Sequence, residues 1–314
     1  MKNLKSMHLC ITVMLLFLSG AFFSCKKEDA SNTSVQNTST FEDFPNDDPA
    51  FNDFESPVDA NEVIEGGVAT DGLFHTEAAY TRKNLLFDYT SENSLIPKCS
   101  SINYWCTLSK YASYSIQRSS SYRRAGSYAT KYELNKSDGD VAGSKRTETN
   151  RSSKSETTVK CERWYGASYF LPSSFVSDVA PELLTQWHTV AGGSPPLGLW
   201  TQNGQWSIAY FGDKRKVIGN YATNKWTDFV FHVKWSSSSD GLIEVWKDGV
   251  KVFSYTGKNI YSGIAYGAYM KTGIYKWPWK TGSYGSTTTK RIVYIDDVRI
   301  GNSYATYNDV KPGY

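Results

Sequence analysis

Three short stretches of this chain set proton-handling side chains at alternate positions: Arg146-Thr147-Glu148, Gln186-Trp187-His188, and Tyr269-Met270-Lys271-Thr272-Gly273-Ile274-Tyr275. In an extended strand, side chains at i, i+2 and i+4 leave the same face of a sheet. Read as strands, the stretches pair Arg146 with Glu148, Gln186 with His188, and Lys271 with Tyr269 and Tyr275. Brought onto one surface, they supply an imidazole, a phenol and several donors that hold a carboxylate. That set matches β-elimination on a uronic acid. The proton on C5 is weakly acidic while the neighbouring carboxylate carries full charge, so donors must stabilise an enolate-like intermediate. A base removes that proton and an acid protonates the oxygen leaving C4.

Such a surface requires strands, and the clearest ones alternate plainly. Trp226–Trp235 puts Phe229, Phe231, Val233 and Trp235 on one side. A turn over Ser236–Gly241 leads to Leu242–Lys247, and Asp248-Gly249 starts Val250–Phe253, a strong hairpin signal. Arg291–Ile300, ended by Gly301, reads as another strand, and Pro181-Glu182-Leu183-Leu184 as a helical turn. Aromatic residues make up 15% of the chain, helical periodicity is scarce, and no internal repeat is found. Residues 67–314 fit one large all-β domain. The expected fold is a two-sheet antiparallel β-sandwich, a jelly roll of the concanavalin-like kind.

Met1–Ser24 has lysines at 2 and 5, an apolar run from Ile11 to Leu18 and then Gly20 and Ala21. This is the layout of a signal peptide, too short for a spanning helix. Cys25, after Ser24 and before Lys26-Lys27-Glu28-Asp29, resembles the lipidated Cys of a bacterial lipobox, and the run after it resembles a lipoprotein surface-export signal. Ordinary cleavage with Cys25 incidental is the competing reading. Residues 25–66 are otherwise rich in Ser, Thr, Asn and acid and cannot bury enough apolar area to offset chain entropy, so a disordered acidic tether is expected. Residues 1–66 carry 4 Lys+Arg against 11 Asp+Glu, leaving 30 against 20 in 67–314, a net charge of +10. A basic exported domain favours a polyanionic partner. Export and the lack of a recognition motif argue against nucleic acid.

Of the cysteines beyond the signal and Cys25, Cys99 and Cys106 are close enough to staple a loop in an oxidising compartment. Cys161 with either of them is the alternative pairing. No Cys-x-x-Cys or clustered His accompanies them, which argues against zinc.

The order and character of the three stretches resemble the jelly-roll polysaccharide lyases, which include alginate lyases, heparin lyase I, glucuronan lyases and ulvan lyases. Their signatures take the form Arg-Thr/Ser-Glu-Leu, Gln-x-His and Tyr-x-Lys-x-Gly-x-Tyr; here Thr149 departs from the first. Trp164–Pro172 and Tyr294–Gly301 extend the resemblance, which runs from about Ser119 to Gly301. It implies that Gln186 and Arg146 hold the carboxylate, with His188 as base and Tyr275 as acid. A Tyr275 that serves as both base and acid, its pKa lowered by Lys271, is the other assignment. Glu148, Tyr269, Trp277 and Trp200 are placed in the substrate-binding set, the aromatic residues because their faces stack on sugar rings, and Glu148 as a structural partner of Arg146 in preference to an acid. Trp206, Trp279 and Tyr284 are weaker candidates of the same kind, and His232 and His75 read as structural.

Asp296 and Asp297 suit a structural calcium, although a water-exposed pair at a strand end explains them as well. The chemistry itself requires no cofactor. The expected protein is an exported, lipid-anchored, monomeric lyase acting on a uronate polymer, with a sulfated ulvan- or heparin-like one preferred over alginate or glucuronan. A non-catalytic carbohydrate-binding sandwich is the rival. A glycoside hydrolase is disfavoured because no pair of carboxylates in a Glu-x-Asp-x-x-Glu-like run is present.

Overall fold

The computed structural model describes residues 81–152, 161–189, 193–211, 214–263 and 267–313. The expected signal peptide, Cys25, the tether, His75 and the start of the domain at 67 lie outside them.

Among the described residues fifteen strands, numbered in chain order, form two antiparallel sheets. The first sheet holds β1 (Leu85–Tyr89), β3 (Ile116–Ser119), β4 (Ala129–Asn135), β6 (Glu162–Phe170), β11 (Trp226–Lys234), β12 (Leu242–Lys247), β13 (Val250–Thr256) and β15 (Lys290–Gly301). Its order is β13-β12-β11-β6-β15-β4-β3, with β1 pairing the second half of β15. The second sheet holds β2 (Thr107–Ser109), β5 (Arg146–Arg151), β7 (Glu182–Thr189), β8 (Leu197–Gln202), β9 (Gln205–Tyr210), β10 (Lys214–Asn220) and β14 (Ala268–Tyr275). They run in the order β10-β9-β8-β7-β14-β5-β2. Neighbours distant in sequence make this the jelly-roll sandwich that the alternation and scarce helical pattern imply.

The core lies between the layers. Phe229, Phe231 and Val233 face it from β11, as do Tyr165, Ala167 and Tyr169 from β6. Across the gap stand Trp187, Trp206, Met270 and Ile274. Trp187 meets Tyr165 at 5.1 Å and Phe231 at 4.7 Å between ring centres, while Trp206 meets Phe229 at 5.1 Å. Edge-on aromatic packing of this kind explains why so aromatic a chain yields one continuous core. Two polar pairs bridge the layers: the Tyr132 hydroxyl and Thr149 Oγ1 lie 2.7 Å apart, and Tyr169 bonds Thr185. The first of these gives Thr149 an inward structural role.

Several expectations change. Pro181–Leu184 opens β7 instead of making a helical turn, because Leu183 and Leu184 are both buried, one on each side of the sheet. Single helical turns occur instead at Pro278–Thr281 and Tyr307–Val310. Asp296 and Asp297 are wholly buried rather than exposed. They sit where β15 bulges against β6, and Asp297 takes φ +54. Asp296 accepts the backbone N–H groups of Arg124 and Asp297, while Asp297 pairs with Arg299 at 3.1 Å and accepts the Gly313 N–H. These contacts supply a protein-only account of the pair. Among the described residues no group of three or more His, Cys, Asp or Glu could hold a metal.

Residues 98–109 form a loop closed by a Cys99–Cys106 disulfide. Neither cysteine is therefore bonded to Cys161. The loop is tied to the second sheet by Cys106 N–H donating to Asn150 O, at 3.0 Å.

Candidate active site

Strand β14 sits between β5 and β7, and it brings the three stretches together. Its inward residues Met270 and Ile274 enter the core. Tyr269, Lys271 and Tyr275 therefore face outward, as period-two alternation requires. On one side Lys271 lies opposite Gln186 and Tyr269 opposite His188. On the other, Lys271 lies opposite Asn150, Gly273 opposite Glu148 and Tyr275 opposite Arg146. All five candidate catalytic residues thus share the outer face of the second sheet.

Two irregularities keep that register. The β14–β7 pairing shifts by one residue between Thr272 and Tyr275, and β7 shifts against β8 between Leu183 and Thr185. An extra residue on a bulged strand re-aims the side chains beyond it. This is how Leu184 turns into the core while Gln186 and His188 stay outside. Gly273 lies at the bulge with φ +139, and a Cβ there would sit 2.2 Å from Thr147 O. Only glycine lets β5 approach this closely.

Several contacts link the groups of this face. Gln186 Nε2 donates to Glu148 Oε1 at 2.5 Å, and Arg146 Nη1 reaches Glu148 Oε2 at 3.4 Å. Glu148 thereby orients both expected carboxylate binders. The Arg146 guanidinium lies 4.4 Å from the centre of the Tyr275 ring, which lies 5.6 Å from Trp277, itself edge-on to Trp200 at 4.9 Å. His188 Nδ1 stands 2.8 Å from Thr189 O. A carbonyl only accepts, so Nδ1 carries the proton and Nε2 is the basic atom of the neutral ring. Burial is the first cause that pushes the Tyr275 phenol above its ordinary pKa, with Arg146 opposing. The Lys271 ammonium stands 5.6 Å from the Tyr269 ring, and Gly273 separates Lys271 from Tyr275 in the alternation. Gln186, Lys271 and Tyr275 are each at most 2% exposed, and His188 is half-buried.

Beneath the phenol lies a buried ionic quartet. Lys276, next after Tyr275, places Nζ 3.1 Å from both Asp178 and Glu182, and Arg291 pairs with Glu182 at 2.7 and 2.8 Å. Asp178 also accepts from Ser286 and Thr288. Burial alone would raise the Asp178 pKa, but these hydrogen bonds, the Ala180 N–H and Lys276 hold it well below the usual carboxylate range. Two cations against two anions leave no net charge, so the quartet fixes the end of β14 without the penalty of an unpaired buried ion.

With this geometry in view, likeness to known proteins can be weighed. The family model described as Polysaccharide lyase matches residues 98–299, well over half of the chain. The chain belongs to the polysaccharide lyase family. No curated protein matches the lyase. Among solved structures, the endo-β-1,4-glucuronan lyase of the fungus Trichoderma reesei is 19% identical, covering 66% of this lyase and 93% of its own chain, with a TM-score of 0.55. Alginate lyase AlgAT5 of polysaccharide lyase family 7 is 13% identical over 62% and 85% of the two chains, with a TM-score of 0.47. At such identities the likeness is one of fold.

Other candidates fall elsewhere. Trp206 and Trp279 are buried, the latter donating to Ser286 Oγ at 2.9 Å. His232 lies in the first sheet, held between Glu162 at 2.6 Å and Glu244 at 2.9 Å and stacked on Trp164. Two residues of the active face were overlooked in the sequence. Asn150 is the next alternate position after Arg146 and Glu148, so continuing the period would have found it. Arg215, on β10, has no motif and reaches the face only through sheet pairing.

Proposed function

We propose that this lyase cleaves a uronic-acid polymer by β-elimination, leaving an unsaturated uronate at the new end. The observation that carries the reading is the single outer face on which β5, β14 and β7 place Arg146, Lys271, Tyr275, Gln186 and His188. Gln186, Arg146 and Lys271 neutralise the substrate carboxylate and stabilise the enolate-like intermediate. His188 Nε2 takes the C5 proton. Tyr275 protonates the departing C4 oxygen. A phenol raised by burial stays protonated at neutral pH, which suits an acid and argues against Tyr275 as the base.

The net charge of +10 over 67–314 favours a sulfated polymer such as ulvan or a heparin-like glycosaminoglycan. Glucuronan is the second reading, supported by the fold likeness to a glucuronan lyase. Incubating the protein with ulvan, heparin, alginate and glucuronan, and following ultraviolet absorbance of the conjugated uronate, tests both. Growth of the band on one polymer identifies substrate and reaction. Reducing ends without the band would overturn elimination.

The reading includes export and anchoring: residues 1–24 as a signal peptide, Cys25 as the lipidated residue and 25–66 as a tether, with a monomeric 67–314 domain at the cell surface. Replacing Cys25 with Ser should release the protein from the membrane fraction, and retention there would count against the anchor.

A further inference from the structure

Beyond Gln186 the same cross-strand row continues. Gln186 pairs with Gly198 on β8, Gly198 with Ala209 on β9, and Ala209 with Arg215 on β10. Three strand spacings separate Gln186 from Arg215, about 14 Å along the row. Two small residues lie between the polar ends, and Leu183 and Trp200 pack over them. Trp200 lays its indole along the row: a Cβ built on Gly198 would come 2.5 Å from Leu183 Cδ2 and 2.7 Å from Trp200 Nε1. Trp200 is only 8% exposed, yet its Nε1–H has no hydrogen-bond acceptor. A buried donor without an acceptor is costly unless a ligand supplies one. At the far end the Arg215 guanidinium stacks on the Trp200 ring at 5.0 Å and donates to Ser207 Oγ at 3.3 Å and to Gln202 Oε1. The residue remains exposed on an edge strand between Lys214 and Lys216. Such a planar, held guanidinium is the form of cation best matched to a carboxylate or sulfate.

We propose that this row ends in a second anion-binding subsite, in which Arg215 pairs with the acid group of a sugar a few rings from the one being cleaved. Trp200 Nε1–H donates to an oxygen of the chain between them. The inference rests on the elimination reading and orients its substrate, laying the polymer across the strands from β14 toward β10.

Arg215→Ala, Arg215→Lys and Trp200→Phe in the full-length protein test it. On the polymer that the wild type cleaves, Arg215→Ala should raise KM roughly tenfold and flatten the dependence of KM on sodium chloride, since one fewer ion pair is screened. Arg215→Lys should restore the salt dependence while recovering only part of the affinity, because the stack and fork are lost. Trp200→Phe keeps a ring and removes the N–H, and should raise KM severalfold. An unchanged KM and salt slope in Arg215→Ala would overturn the subsite. So would a lowered melting temperature with the salt slope intact, which marks a structural role. Electrophoresis through gels holding glucuronan, alginate or ulvan separates this inference from the reaction. If the wild type makes no unsaturated ends but is retarded where Arg215→Ala is not, elimination fails and the subsite stands. Equal retardation of the two removes the subsite.

Discussion

Tyr275 ends β14 with its ring against a guanidinium on one side and an indole on the other, so its hydroxyl is placed by flat contacts instead of a flexible stem. Tyr275→Phe keeps those contacts and removes only the hydroxyl, with its hydrogen bond to Ser144. Turnover should fall about 10²–10⁴-fold, the usual contribution of a positioned acid or base, with the melting temperature unchanged. His188→Ala should fall by a similar factor. Near-normal rates in either variant, measured by the ultraviolet band, would refute the assignment. At this scale much was legible from the chain itself. Gln186, His188, Lys271 and Tyr275 announce themselves because a period of two needs no knowledge of partners. The hydrogen bond from Gln186 to Glu148 spans 38 residues of sequence and has no local trace. Arg215 is the extreme case, since five strands must pair before it shares a surface with Tyr275.

At the scale of elements, Gly273 is where β14 and β5 come closest, and a methyl group there meets backbone that cannot rotate away. Gly273→Ala should cost about 1–3 kcal/mol in denaturant unfolding. It should also lower kcat, because moving β5 shifts Arg146 and Glu148 together. Lys276→Met presents a harsher change: Asp178 and Glu182 keep one cation for two buried carboxylates, and the loss should be about 3–5 kcal/mol. A midpoint within error of the wild type would show that the quartet holds nothing in place. Sequence reasoning found the strands of β11, β12, β13 and β15 from alternation and Asp-Gly turns. It misread Pro181–Leu184, because a run of adjacent apolar residues suits a helix and a bulged strand equally well. Bulges break the very period on which such reading depends, as at Asp296, where adjacent acids suggested an exposed strand end.

For the whole molecule, buried carboxylates set how stability follows pH. Burial, then the neighbouring Asp297, push the Asp296 carboxyl up to about 7. The folded protein therefore keeps a proton that the unfolded chain releases above about pH 4, and stability declines as pH rises from there to 7. Asp178 acts oppositely: its depressed pKa contributes stability above the unfolded value that is lost as pH falls below it. From these two groups the melting temperature should peak near pH 4–5, and Asp296→Asn should flatten the decline toward neutrality. A wild-type melting curve that rises steadily from pH 4 to 7, unaltered by Asp296→Asn, would contradict this. One arrangement has a further practical consequence. Because β14 contributes Lys271 from between β5 and β7, a slip of a single residue would replace the ammonium by Met270 or Thr272 and turn it inward. Misregistered molecules would be silent, not sluggish. Counting competent sites in a refolded sample, with KM held as the control, would then report how faithfully the strands found their partners.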